Sequence, residues 1–179
     1  MKIAMIDSGF INRNEIIWHR PNQMPSSARD RFTVDFEKFY WFTKNQKYYF
    51  EQQFEPYTEP MNRWGGDELT ADGQSDWDEG TGQDTYRSRN MRPNPKGKNK
   101  RTVWSINTVP SKVKHFASYP ETLIETPILS TCPEGGIVLD PFFGSGTTGA
   151  VAKRLNRNFI GIELNPDYVE IAENRLGIK

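Results

Sequence analysis

Cysteine and histidine are nearly absent: the 179 residues hold one cysteine, Cys132, and two histidines. No internal disulfide can form, and so few sulfur and imidazole ligands make no zinc site, so a reducing, cytosolic setting is expected. Long apolar runs are missing too. No segment approaches the roughly eighteen apolar residues that a bilayer-spanning helix needs, and Met1–Asp7 lacks the apolar centre of a secretory leader, so a soluble protein without a membrane partner is expected. Net charge is zero, with 23 basic residues against 23 acidic ones and 35% hydrophobic content. That balance is too moderate for a wholly disordered chain, and the length fits one ordinary domain with a real core.

The neutrality conceals two blocks of opposite sign. Between Glu51 and Asp84 ten acids face one base, Arg63, which suggests an excursion or long loop. From Thr85 to His115 nine bases (Arg87, Arg89, Arg92, Lys96, Lys98, Lys100, Arg101, Lys112 and Lys114) occur with no acid. A basic run is more often a solvated surface, but it can also track phosphates, and Arg87, Arg89, Arg92, Lys98, Lys100 and Arg101 are the candidates for such contact.

Aromatic and β-branched clusters at Ile16–Trp18, Phe39–Phe42 and Tyr48–Phe50 predict strands at one side of a sheet. After His115 the pattern becomes regular. It predicts a helix over Glu121–Thr131, a strand over Ile137–Asp140, a helix over Thr147–Leu155, a strand over Phe159–Glu163 and a helix over Pro166–Leu176. That succession belongs to a parallel α/β sheet. Asn165 with Pro166 predicts the start of the last helix, and Gly177 its end.

The most informative segment is Gly136-Ile137-Val138-Leu139-Asp140-Pro141-Phe142-Phe143-Gly144-Ser145-Gly146-Thr147-Thr148-Gly149. An apolar strand runs into a glycine-rich turn that opens a helix. Gly144 and Gly146 allow a tight turn and close approach to a ligand, while Gly149 permits close helix–sheet packing. The three glycines spell the dinucleotide fingerprint, but Asp140 at the strand end would repel a pyrophosphate. S-adenosylmethionine instead presents an ammonium and a sulfonium, which a carboxylate attracts. Glu163, 23 positions after Asp140, ends the next strand, where it could accept ribose hydroxyls of either cofactor. A purely structural strand–helix–strand unit is the bland alternative for the glycines.

The segment from Asp140 to Thr148, followed by Phe159-Ile160-Gly161-Ile162-Glu163, closely resembles the cofactor motif of DNA adenine-N6 or cytosine-N4 amino-methyltransferases. His115-Phe116-Ala117-Ser118-Tyr119-Pro120 looks like the segment that covers the methionine end of the cofactor in the permuted subgroup, where it precedes the cofactor strand. Further similarity lies in Lys100-Arg101-Thr102-Val103-Trp104 and in Ile16-Ile17-Trp18-His19-Arg20-Pro21-Asn22 with Arg31-Phe32. The resemblance implies a Rossmann-like α/β methyltransferase fold, a mostly parallel sheet with helices on both faces, incomplete at its N-terminus. It implies S-adenosylmethionine held by Asp140, Pro141, Phe142, Gly144, Gly146, Thr147, Thr148, Glu163, His115 and Phe116, and double-stranded DNA as substrate. Residues 1–179 would form one partial methyltransferase domain, with 51–101 as an inserted loop or target-recognition region. A cytoplasmic protein of a prokaryote or phage is expected.

One part of the family pattern is missing. Methyl transfer to an exocyclic amine in this family uses Asp, Asn or Ser followed by Pro-Pro and an aromatic residue. No two prolines are adjacent anywhere in this chain, so no catalytic residue is assigned. A fragment, a truncated product and half of a split enzyme with a separate N-terminal partner all fit that absence. So does a catalytically silent module that keeps cofactor and DNA affinity. An RNA or small-molecule methyltransferase is a further alternative, because the cofactor motif does not name the acceptor. Trp18, Trp41 and Trp104 are aromatics that could stack on a flipped base, and Trp18 is the base-pocket candidate, although strand aromatics more often pack in cores.

Overall fold

The computed structural model describes residues 1–57, 94–109 and 119–178. Two compact units result: Met1–Gln53 with Arg101–Lys179, and Phe54–Lys100. In the second, β3 (Phe54–Glu55) and β4 (Lys98–Asn99) pair antiparallel, with Lys98 Nζ 3.5 Å from a Glu55 carboxylate oxygen. Most of the acidic block, and Arg87, Arg89 and Arg92 of the basic one, lie outside the described residues, as do His115 and Phe116.

The first unit opens with a short helix, α1 (Lys2–Asp7), and continues into β1 (Ile11–His19) and β2 (Phe36–Thr43). These two pair antiparallel, from Ile11 opposite Thr43 to His19 opposite Phe36, and β1 pairs in parallel with β5 (Val103–Ser105) on its other side. The register slips between Asn12 and Asn14, and Arg13 in the slip ties the end of the hairpin. Its guanidinium donates to Thr43 Oγ1 and to the carbonyls of Asn45 and Gln46. Tyr48–Phe50 is not a strand. The Glu51 N–H that follows donates to the Ser130 carbonyl, and Tyr48 and Phe50 instead pack their rings on Trp41 at 5.6 and 4.7 Å.

The second half follows the expected succession: α2 (Glu121–Thr131), β6 (Ile137–Asp140), α3 (Thr147–Arg154), β7 (Asn158–Gly161) and α4 (Pro166–Leu176). β6 and β7 pair in parallel, Ile137 opposite Asn158 through Asp140 opposite Gly161. The Asn165 side chain caps α4 by accepting from the Asp167 N–H, and Gly177 closes it at φ +64°. Among the described residues the pairing is mixed rather than mostly parallel, since β1–β2 is the longest ladder and runs antiparallel. The 16 residues between β1 and β2 hold no helix, and β2 folds back antiparallel beside β1.

Helix α2 belongs to two apolar clusters at once. Leu123 packs with Ile16, Trp18 and Trp104 under the first sheet, while Ile128 packs with Cys132, Val151 and Ala152 against β6 and β7. Arg175 in α4 fastens the other end, donating to Glu121 at 2.7 Å and to Thr147 Oγ1 at 3.0 Å. The glycine-rich loop is therefore held between three helices and two strands.

Phe143 is the wedge of that arrangement. Its ring stacks on Phe159, with centroids 5.6 Å apart, and a Cβ built on Gly149 would meet it at 2.6 Å. A Cβ on Gly161 would run into the same ring. Gly161→Ala is expected to destabilise the fold by about 1–3 kcal/mol, the usual cost of overpacking a filled site. A urea midpoint no lower than that of the parent would show that Phe143 moves aside freely.

Candidate cofactor site

β6 and β7 end side by side, and each delivers one carboxylate to the same end of the sheet. Ligands of open α/β sheets bind at that carboxyl end. Past Asp140 the chain turns through Gly144 at φ +53° and Gly146 at φ +78°, and Gly146 is the residue from which α3 starts. A side chain at Gly146 would be strained by its left-handed backbone and would press on Ala172 at 3.1 Å.

Asp140 is fixed from both oxygens. Oδ1 accepts the Phe142 N–H at 2.9 Å, and Oδ2 accepts the Thr148 hydroxyl. A third group, from the segment that resembles the family's cofactor cover, completes the set: Tyr119 places its hydroxyl 2.7 Å from Thr148 Oγ1 and 3.4 Å from Asp140 Oδ2. Thr148 has one hydrogen and gives it to Asp140, so the phenol must donate to Thr148. Burial, with the Asp140 charge beside it, holds the Tyr119 phenol above its ordinary pKa and so keeps that donor proton in place.

Glu163 lies two residues past β7 and anchors the loop. Its Oε2 accepts the Gly144 N–H at 2.8 Å, and its Oε1 accepts the Leu164 and Asn165 N–H groups, both at 2.9 Å. All three of these donors are backbone N–H groups, so the carboxylate holds the loop itself. Two large apolar side chains, Phe142 and Leu164, stand almost wholly exposed next to the two acids. Pro141 starts the turn, and Thr147 opens α3 with its hydroxyl on Arg175.

A family model for DNA methylases of the N6/N4 type matches residues 1–174. The chain belongs to this family. The DNA methylase relatives include the Type II methyltransferase M.Cfr9I of Citrobacter freundii, 37% identical over 176 residues that are 98% of this chain and 48% of that protein. M.SmaI of Serratia marcescens is likewise 37% identical, over 98% of this chain and 50% of its own length. The crystal structure of an M1.HpyAVI–SAM complex superposes with a TM-score of 0.60 at 28% identity, covering 97% of this chain and 66% of that one. The chain thus spans about half the length of the curated relatives it matches.

Of the remaining candidates in this methylase chain, the base-pocket residue Trp18 lies in the core of its own unit. Trp18 is 5% exposed, packs with Ile16, Trp104 and Leu123, and donates its indole N–H to the Ile106 carbonyl at 2.8 Å. Buried and bonded in this way it offers no free ring face to a base, so its place is the core. Lys98 sits on β4, Lys100 follows it, and Arg101 precedes β5 with an exposed side chain. Among the described residues no group of His, Cys, Asp and Glu is arranged to hold a metal, and no helix is long and apolar enough to cross a membrane.

The sequence placed Tyr119 in the cofactor-covering segment but not on Asp140 and Thr148, which are 21 and 29 residues away. Tyr119→Phe keeps the ring and removes the donor to Thr148. The variant is expected to bind cofactor about three- to tenfold more weakly, the loss of one hydrogen bond of roughly 0.5–1.5 kcal/mol. Fluorescence titration giving an unchanged Kd would make the phenol a packing group only.

Proposed function

We propose that this chain is the cofactor-holding part of a DNA amino-methyltransferase, taking S-adenosylmethionine at Asp140 and Glu163 for methyl transfer to adenine N6 or cytosine N4 of double-stranded DNA. The observation that carries the reading is the placement of one carboxylate at the end of β6 and another two residues past the neighbouring parallel β7, around a left-handed glycine turn. The donor set fits the cofactor: the site offers anionic acceptors, which suit an ammonium and ribose hydroxyls and repel a pyrophosphate. Asp140 would take the amino-acid end, Glu163 a ribose hydroxyl, and the exposed Phe142 and Leu164 side chains the apolar purine. His115 and Phe116 would cover the methionine end. When bound, the cofactor supplies an electrophilic methyl group on its sulfonium.

The chain's own part is to bind and aim. Tyr119 and Thr148 pin one Asp140 oxygen, so the second keeps a fixed direction toward a cation. Glu163 ties the loop after β6 to the start of α4. The basic residues Arg87, Arg89, Arg92, Lys98, Lys100 and Arg101 would contact the DNA backbone, with 51–101 serving as a target-recognition region. A separate polypeptide bearing the family's catalytic tetrapeptide would complete the enzyme, and a cytoplasmic location goes with this reading. Taken alone, the chain acts as a silent binding module, because no Pro-Pro pair is present.

Isothermal titration tests the cofactor. S-adenosylmethionine or S-adenosylhomocysteine should bind at least ~10-fold more tightly than NAD, a difference of roughly 1.4 kcal/mol. Tighter binding of NAD would overturn the assignment.

A further inference from the structure

The end of the β1–β2 hairpin carries a second concave site, away from the two acids. Helix α2 starts just past Tyr119 and ends at Thr131, and its 11 residues set those ends about 16 Å apart. At the Thr131 end lies an open cavity of about 330 Å³. Trp41, Lys44, Asn45, Lys47 and Tyr49 line it from the end of β2 and the loop that follows, and Thr131 lines it from the helix. Among the described residues no acid lines it.

The run Thr43-Lys44-Asn45-Gln46-Lys47-Tyr48-Tyr49-Phe50 holds two lysines and no acid. It folds round Arg13, which donates to Thr43 Oγ1, to the Asn45 and Gln46 carbonyls and to Gln46 Oε1. Arg13 takes those acceptors, and Lys44 and Lys47 stay exposed with no ion-pair or hydrogen-bond partner among the described residues. Tyr48 is pinned between the Arg13 guanidinium at 4.7 Å and the Trp41 ring at 5.6 Å. Tyr49 is different. Its hydroxyl donates to Glu51 at 3.0 Å, which holds the side chain, but its ring has no ring partner among the described residues and is 45% exposed. Glu51 itself is outside the cavity wall.

A free aromatic face beside unpaired cations suits a planar ring that carries an anion. Bases stack on such faces whatever their identity, and cations beside them track the phosphates. The cavity is larger than a phosphate alone fills, and an acidic peptide would leave the ring face unused. We infer that Trp41, Lys44, Lys47 and Tyr49 form a nucleotide site separate from the cofactor loop, with a base stacked on Tyr49 and its phosphate on the two lysines. The site is independent of the methyl donor, and its ligand is either a free nucleotide or one unit of an unpaired DNA strand.

The probes are thymidine 5′-monophosphate and a short oligothymidylate, titrated by NMR with the cofactor site saturated by S-adenosylhomocysteine. Amide shifts should fall on Lys44–Tyr49 and leave Gly144–Gly146 unmoved. Thymidine, which lacks the phosphate, and inorganic phosphate, which lacks the ring, should each bind at least ~10-fold more weakly than the monophosphate. Lys44→Gln with Lys47→Gln should weaken binding at least ~10-fold and cut the salt slope of the oligonucleotide by roughly 1.4, about 0.7 per phosphate contact. Tyr49→Leu should weaken binding at least ~5-fold, whereas Tyr49→Phe, which keeps the ring and loses only the Glu51 bond, should bind like the parent. Should Tyr49→Leu misfold, the exposed lysine pair still decides. An oligothymidylate that binds at least ~10-fold tighter than the monophosphate makes this a strand site, and a smaller difference makes it a free-nucleotide site; both support it. Shifts confined to the cofactor loop, phosphate binding as tightly as the monophosphate, or affinity indifferent to the lysine pair would overturn it. So would polyglutamate displacing the monophosphate as well as oligothymidylate does. Failure of S-adenosylhomocysteine to bind would count against the cofactor reading alone.

Discussion

Incubated with duplex DNA and tritiated S-adenosylmethionine, the 179-residue chain should transfer methyl groups no faster than a protein-free control. The lone pair of an exocyclic amine is delocalised into the base ring, so holding a methyl donor nearby does not make the nitrogen a nucleophile. Hydrogen-bond acceptors that localise the lone pair must act in the transition state, and such positioned groups contribute about 10²- to 10⁴-fold. Extruding the base costs a few kcal/mol more, which an aromatic stack normally offsets. In this family both tasks fall to the Asp-, Asn- or Ser-Pro-Pro-aromatic segment, and no adjacent prolines occur in this chain. Two of the three described tryptophans of the first sheet, Trp18 and Trp104, are buried in the core. Adding a polypeptide that bears such a segment should raise transfer by at least ~100-fold. Robust transfer by the chain alone would place the catalytic centre among residues assigned other roles.

The strand, turn and helix from Ile137 to Arg154 were legible because local chemistry marks them: an apolar run, glycines at left-handed positions, then a segment with Lys153 and Arg154 in its last turn. The same holds for α4, whose Asn165, Pro166 and Gly177 mark both ends. Tyr48–Phe50 looked like a strand because aromatics favour pleated, half-buried surfaces. Its neighbours give it ring partners but no strand, and that decision belongs to tertiary structure. The antiparallel return of β2 onto β1 leaves no distinctive mark in either strand. The contacts of Tyr119 and the anchoring role of Glu163 were invisible for a shared reason. Tyr119 meets partners brought near only by the packing of α2 against β6 and α3, and the donors to Glu163 are backbone N–H groups, which no side-chain pattern reports.

Glu163→Ala should therefore do two things at once. From the sequence, only a loss of cofactor affinity is expected, about 1.5–3 kcal/mol for a charged hydrogen bond. The structure adds a scaffold role, because the truncation strips the acceptor from the Gly144, Leu164 and Asn165 N–H groups together. Two of those donors are exposed and can turn to water, so the stability loss should be roughly 2–4 kcal/mol rather than three full bonds. For a chain of this length that lowers the Tm by roughly 5–12 °C. Glu163→Gln separates the effects. Its carbonyl oxygen can keep the Leu164 and Asn165 donors, while its amide would confront the Gly144 N–H with another donor. Calorimetry should then show about half the drop in Tm with most of the affinity loss retained. If Glu163→Ala melts like the parent, the backbone bonds are dispensable; if it melts lower but binds S-adenosylhomocysteine normally once folded, Glu163 is an anchor and not a ligand group.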